Sequence, residues 1–162
     1  MSAQDVPRLL NSFTVNSSGY DYCLGITRAS DNPGAILLSG SSEGPITLPG
    51  PGEDFQLSGD NNDAFIAKWD YQNSFFDWAF LLTGTGEQTS VKLTTLENGE
   101  YGLAAAPKGP TVLSPFAGGP ANFSTTLSPP DVENYDPNSP TYDIVWGKLD
   151  ASGTGQWYDR GR

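Results

Sequence analysis

The chain has 162 residues, and its 19 glycines and 13 prolines are too many for a helical bundle, since each costs about 1 or 3 kcal/mol in a helix interior. Its 8 Phe, 7 Tyr and 4 Trp supply the apolar area that disordered chains lack. With 8 basic against 19 acidic residues, a net charge of −11 and no histidine, the composition disfavours nucleic-acid and anionic-membrane binding, and it removes the commonest general base and zinc ligand.

In chain order, residues 1–10 carry Asp5 and one short apolar pair, Leu9-Leu10, unlike a secretory leader. Turn signals then recur at short intervals and separate runs of alternating apolar and polar residues, the pattern of half-buried strands. The predicted strands are 10–15, 20–28, 35–41, 63–70, 76–83, 88–96, 100–106, 143–150 and 155–160. In the second of these, Tyr20, Tyr22, Leu24 and Ile26 share one face. Cys23, the only cysteine, lies on the other and reads as a small apolar filler; alone it cannot form an intrachain disulfide. Asn98-Gly99 reads as a tight hairpin turn, because both residues tolerate positive φ.

The chain repeats itself. Residues 13–40 align without a gap on residues 80–107, which pairs Leu24 with Val91, Ile26 with Leu93 and Ile36 with Leu103. Residues 63–70 read DAFIAKWD and residues 143–150 read DIVWGKLD. In both, a turn follows and then a strand bearing a tryptophan, Trp78 or Trp157. Phe65, Ala67 and Trp69 share a face, with Val145, Gly147 and Leu149 at the matching positions. Ile66 and Trp146 point the other way, so this strand is apolar on both sides, as for a strand held between neighbours. Lys68 and Lys148 occupy one repeat position and are expected to pair with carboxylates, Asp70 or Asp150.

Residues 63–106 resemble the bacterial β-propeller repeat known as the SBBP repeat. The likeness lies in the DAFIAKWD strand, Trp78, the Gly84-Thr85-Gly86 turn, the strand with Val91 and Leu93, and the Asn98-Gly99 hairpin. The resemblance implies propeller blades and a scaffold role, and brings no catalytic residues. The expected fold is therefore all-β, with about two four-stranded antiparallel blade-like units, or alternatively a β-sandwich. One domain over residues 1–162 is expected, with repeat unit one at 10–70, unit two at 76–150, a closing strand at 155–160 and a long Pro-rich loop at 107–142. Closed propellers have 4–8 blades, so two units leave strand edges that call for a partner or a cover.

Three groups of residues are candidates for function. Asp60-Asn61-Asn62-Asp63 offers oxygen ligands, so Asp60 and Asp63 are the candidate metal residues, with calcium as the one cofactor considered. The run lacks EF-hand spacing, and such residues also simply cap turns. Asp131, Glu133 and Asp136 form an acidic segment that reads as a solvated loop. The loop aromatics Phe116, Phe123 and Tyr135, with Leu10 and Trp157 from the matching strands at the two chain ends, are the candidate interface. No nucleotide-binding loop or nucleophile motif is present. The function expected is that of a non-enzymatic structural or interaction protein, one subunit of a larger assembly. A virion is the expected setting, as a phage capsid-decorating or tail component, with self-association or docking on a protein lattice. The alternatives are a carbohydrate- or surface-binding module, calcium-assisted or not, and a place at the cell surface.

Overall fold

A computed structural model of the chain describes residues 12–15, 17–57, 63–84, 88, 91–106, 111–115, 125–127 and 144–161. The first strands are β1 (Asp21–Arg28), β2 (Ala35–Ser42), β3 (Ile46–Leu48), β4 (Phe55–Leu57), β5 (Asp63–Asp70) and β6 (Phe75–Gly84). The rest are β7 (Val91–Thr95), β8 (Tyr101–Ala105), β9 (Thr111–Pro115), β10 (Thr125–Leu127), β11 (Ile144–Leu149) and β12 (Gly155–Gly161). The fold is all-β. A six-stranded sheet runs β1-β2-β5-β6-β9-β10, a four-stranded sheet runs β12-β11-β8-β7, and β3-β4 is a separate hairpin. Every neighbouring pair is antiparallel.

The sequence repeat is visible in the pairing. Strands β1, β2, β5 and β6 form one meander in the larger sheet, and β7, β8, β11 and β12 form the equivalent meander in the smaller sheet. Each copy carries an insert between its second and third strands. In the first copy the insert is the β3–β4 hairpin; in the second it is the β9–β10 hairpin. Both are spent on the first copy: β3–β4 packs over its outer face, and β9 pairs with its last strand β6.

Two cores result, one on each face of the larger sheet. Between the sheets, Ala35, Leu37, Ala64, Ile66, Trp78, Phe80 and Leu82 meet Val91, Tyr101, Leu103, Ala105 and Leu149. On the far side, Leu38, Phe65, Ala67, Trp69 and Phe76 pack against Ile46, Leu48 and Phe55 of the hairpin. Phe13 closes that second core edge-on to Trp69, with ring centroids 4.4 Å apart, and to Phe76 at 4.9 Å. All eight residues of β5 are buried, because this strand lies between both cores and between two neighbours.

The two copies are stacked head to tail. In β5, Ala64 and Ile66 face the smaller sheet, whereas Phe65, Ala67 and Trp69 face the hairpin. In β11, Leu149, at the repeat position of Trp69, faces the larger sheet, while Trp146, at that of Ile66, is exposed. Strands β2 and β8 agree. Leu37 faces the smaller sheet and its equivalent Ala104 is exposed, while Leu38 faces the hairpin and its equivalent Ala105 faces the larger sheet. One face of the first copy thus packs on the opposite face of the second. The layers run hairpin, larger sheet, smaller sheet.

Several expectations are corrected. Residues 12–15 are not a strand; Phe13 and Val15 instead pack on the second core. Residues 107–142 are not one loop but contain β9 and β10, so the β6 edge is sealed from within the chain. The segment expected as a closing strand, 155–160, lies in β12, the fourth strand of the smaller sheet beside β11. Unit one therefore runs on through β6, and unit two begins at β7. Cys23 is exposed, not a core filler, and Tyr22 and Ile26 are exposed while Leu24 packs on the core between the sheets. The cause is a bulge between Cys23 and Gly25 on the edge strand β1, which breaks the two-residue alternation. The Asn98-Gly99 turn forms as expected, with φ of 61° and 77°, joining β7 to β8.

Candidate interaction face

Two polar arrangements stand out, and the first is structural. Lys68 Nζ is buried between the sheets, 2.6 Å from Asp31 Oδ2 and 3.4 Å from Asp77 Oδ2. From the smaller sheet, the Tyr101 hydroxyl donates to Asp31 Oδ1. The carbonyl of Ala151, in the β11–β12 turn, accepts from Trp78 Nε1 at 3.1 Å and from Lys68 Nζ at 3.5 Å. Burial raises the Asp31 pKa, but the hydrogen bonds from Lys68 and Tyr101 and the lysine charge outweigh it, so the carboxyl stays below its ordinary range. Burial, then the hydrogen bond to Asp31 and its charge, push the Tyr101 phenol well above its ordinary value. Every member of this cluster is engaged in holding one sheet to the other, and the group reads as a clamp.

The lysines at the shared repeat position do meet carboxylates, though not the expected ones: Lys68 meets Asp31 and Asp77, and Lys148 meets Glu100 at 2.7 Å. Asp70 and Asp150 instead cap the turns that follow their strands. Asp70 Oδ1 accepts from the backbone N–H of Gln72 and Asn73, each at 2.9 Å. Asp150 Oδ1 accepts from the N–H of Ser152 and Thr154, also at 2.9 Å. The repeat conserves a turn device here, because a short carboxylate satisfies N–H groups that the turn leaves unpaired.

The second arrangement is the outer face of the smaller sheet. Trp146 is 47% exposed and Leu96 39%. They flank a shallow trough of about 340 Å³, floored by Gly102 and Ala104 and rimmed by Lys92 and Lys148. Small residues on β8 make the trough: beside Trp146 they leave the sheet surface low. Lys92 wraps around the β7 edge to donate to the Leu24 carbonyl of β1. Among the described residues it has no carboxylate within ion-pair distance. On the first copy the equivalent face is covered by the second copy. On the second copy no described element covers it.

Of the residues expected to act from sequence, Leu10, Asp60, Phe116, Phe123 and Tyr135 lie outside the described residues, as do Asp131, Glu133 and Asp136. Trp157 lies in β12, in register with Gly147. Asp63 is buried at the start of β5, opposite Ser42. Among the described residues no three acidic or thiol side chains gather as a metal site would require. Trp146, Leu96 and Lys92 were not among the expected interface residues. The signal was present in the repeat: Trp146 stands at the Ile66 position, which is buried in the first copy, while Trp146 is 47% exposed.

No family model, curated protein or solved structure matches the chain.

Proposed function

We propose that this protein is a non-enzymatic structural subunit that works by docking on other protein surfaces in a larger assembly. The observation that carries the reading is the outer face of the smaller sheet, which no described element covers and where Trp146 and Leu96 are exposed, an apolar surface of the kind that marks interaction sites. Its equivalent in the first copy is buried against the next layer, so the face has the chemistry of an unfinished stack. The SBBP-like repeat motifs support the same reading, since propeller blades also pack face on face. The net charge of −11 and the absence of histidine favour an interaction role over catalysis. A virion, with this chain as a decorating or tail component, is the setting we propose for such a subunit.

Sedimentation velocity over a wide concentration range tests the reading. The expected result is a mass that grows with concentration for the wild type and a lasting monomer for Trp146→Asp. A wild type that stays monomeric and binds an oligosaccharide through Trp146 overturns it in favour of a carbohydrate-binding module.

A further inference from the structure

The clamp between the sheets holds more chemistry than an ion pair needs. Lys68 is 4% exposed and lies in register between Leu37 and Trp78, both buried. Its amine meets two carboxylates, Asp31 Oδ2 at 2.6 Å and Asp77 Oδ2 at 3.4 Å. Asp77 stands at a bulge: the register between β5 and β6 shifts there, which leaves it as an extra residue between Phe76 and Trp78. Bulges re-aim side chains, and this one lets Asp77 and Trp78 both reach Lys68 or its surroundings. Asp31 is held from behind by the Asn98-Gly99 turn, where a Cβ on Gly99 would come within 3.2 Å of Asp31 Cβ. Its two carboxyl oxygens are divided, Oδ2 on the Lys68 amine and Oδ1 on the Tyr101 hydroxyl.

We propose that Lys68 and Asp31 join in an intramolecular amide bond, made by the folded chain itself with Asp77 as the acid–base group. A proton first passes from the Lys68 ammonium to Asp31 Oδ2, leaving a neutral amine beside a neutral carboxyl. The amine lone pair attacks Asp31 Cγ and forms the C–N bond. The C=O electron pair moves to Oδ1, where the Tyr101 hydroxyl stabilises it. The Asp77 carboxylate takes a second proton from the nitrogen and hands it to Oδ2. The C=O re-forms at Oδ1, the C–Oδ2 bond breaks, and Oδ2 leaves as water. Ammonium and carboxylate thus become an amide and one water, with no oxidant or co-reactant. Position favours the step, since groups held in reacting geometry gain an effective concentration of about 10⁵ M or more. Burial favours the product, because a neutral amide escapes the desolvation cost of two buried charges. Lys148 and Glu100 meet at 2.7 Å, but their side chains are 31% and 34% exposed, so water solvates both charges and no bond is expected there. At rest the Lys68 pair is ionised, with the Asp31 carboxyl below its ordinary range, so the bond forms slowly after folding. The pair's stability and pH behaviour are those of the chain before the bond forms. The product ties the β1–β2 turn covalently to β5. The inference goes beyond the docking reading and does not depend on it.

Intact mass spectrometry in denaturant, followed with time after purification, tests this. The wild type is expected to fall short of its sequence mass by one water. A protease digest should then yield one branched peptide that joins the Asp31 segment to the Lys68 segment. Lys68→Met and Asp31→Ala should keep the full mass. Either may melt early, so Asp77→Asn supplies the second readout. With circular dichroism unchanged, it should form the bond about 100-fold more slowly, the loss of an acid–base group. A purely structural Asp77 would leave that rate where it was, and such a result overturns its acid–base role. A folded wild type that keeps its full sequence mass on prolonged storage overturns the proposal and leaves an ion pair only. A water loss that maps to any other peptide overturns it as well.

Discussion

Lys68 shows how much one side chain can hold together. It is 4% exposed and links β5 to Asp31 and Asp77, with Tyr101 of the other sheet joined through Asp31. Removing one partner from a buried ion pair costs about 3–5 kcal/mol; the part-exposed carboxylates here lower that to about 2–3 kcal/mol. Lys68→Ala is expected to lose that amount in urea denaturation at pH 7. Asp31 and Asp70 both have carboxyl pKa values lowered in the fold. Their contribution is thus present above the unfolded value of about 3.9 and lost as pH falls through the folded values. Asp31→Asn and Asp70→Asn should each flatten the acid limb of a stability-against-pH curve. Tyr101 has the opposite sign: its raised pKa makes stability fall as pH rises past about 10. Tyr101→Phe should remove that alkaline loss. Gly153 has a φ of 82°, and a Cβ there would sit 2.6 Å from the Phe80 ring, which is fully buried and cannot yield. Gly153→Ala is expected to cost about 2 kcal/mol or more, read as a fall in melting temperature.

At the scale of elements, β5 and its neighbours were legible because their sequence carries both a strand period and a repeat. DAFIAKWD is apolar on both faces, and β5 proves to be buried on both. The short strands β3, β4, β9 and β10 were not legible. They hold three to five residues each, lie among prolines and glycines, and exist through what they pack against rather than through their own pattern. The hairpin gives a contrast that tests this. Leu48 is fully buried under the larger sheet, while Thr47 beside it points to solvent and bonds Gln56. Leu48→Ala should cost about 2–5 kcal/mol; Thr47→Ala should stay within about 0.5 kcal/mol. Denaturant melts of the two variants check the pair.

For the whole molecule, the core between the sheets draws residues from both repeats, so neither meander can keep its inner face dry alone. Unfolding is expected as one cooperative transition, with near- and far-ultraviolet dichroism coincident. Leu103→Ala in the smaller sheet should lower hydrogen-exchange protection in β2 and β5 of the larger sheet as much as in β8. Protection loss confined to β7, β8, β11 and β12 would show instead that the sheets unfold separately. The exposed Tyr20, just before β1, and Tyr22 within it, with ring centroids 6.4 Å apart, lie at an edge strand. The bulge at Cys23 and the Lys92 contact to the Leu24 carbonyl guard that edge.

The amino-acid sequence by itself determined the all-β class, the two copies and the main strands, because side-chain alternation and turn chemistry are local and the repeat states them twice. It also marked Ile66 and Trp146 as residues needing a layer above them. Only the tertiary structure decided that both inserts serve the first copy, that β9 pairs with the β6 edge, and that Trp146 is partly exposed where its counterpart Ile66 is buried. Those outcomes depend on which surfaces meet in space, and a surface is covered or bare through contacts between residues far apart in the chain.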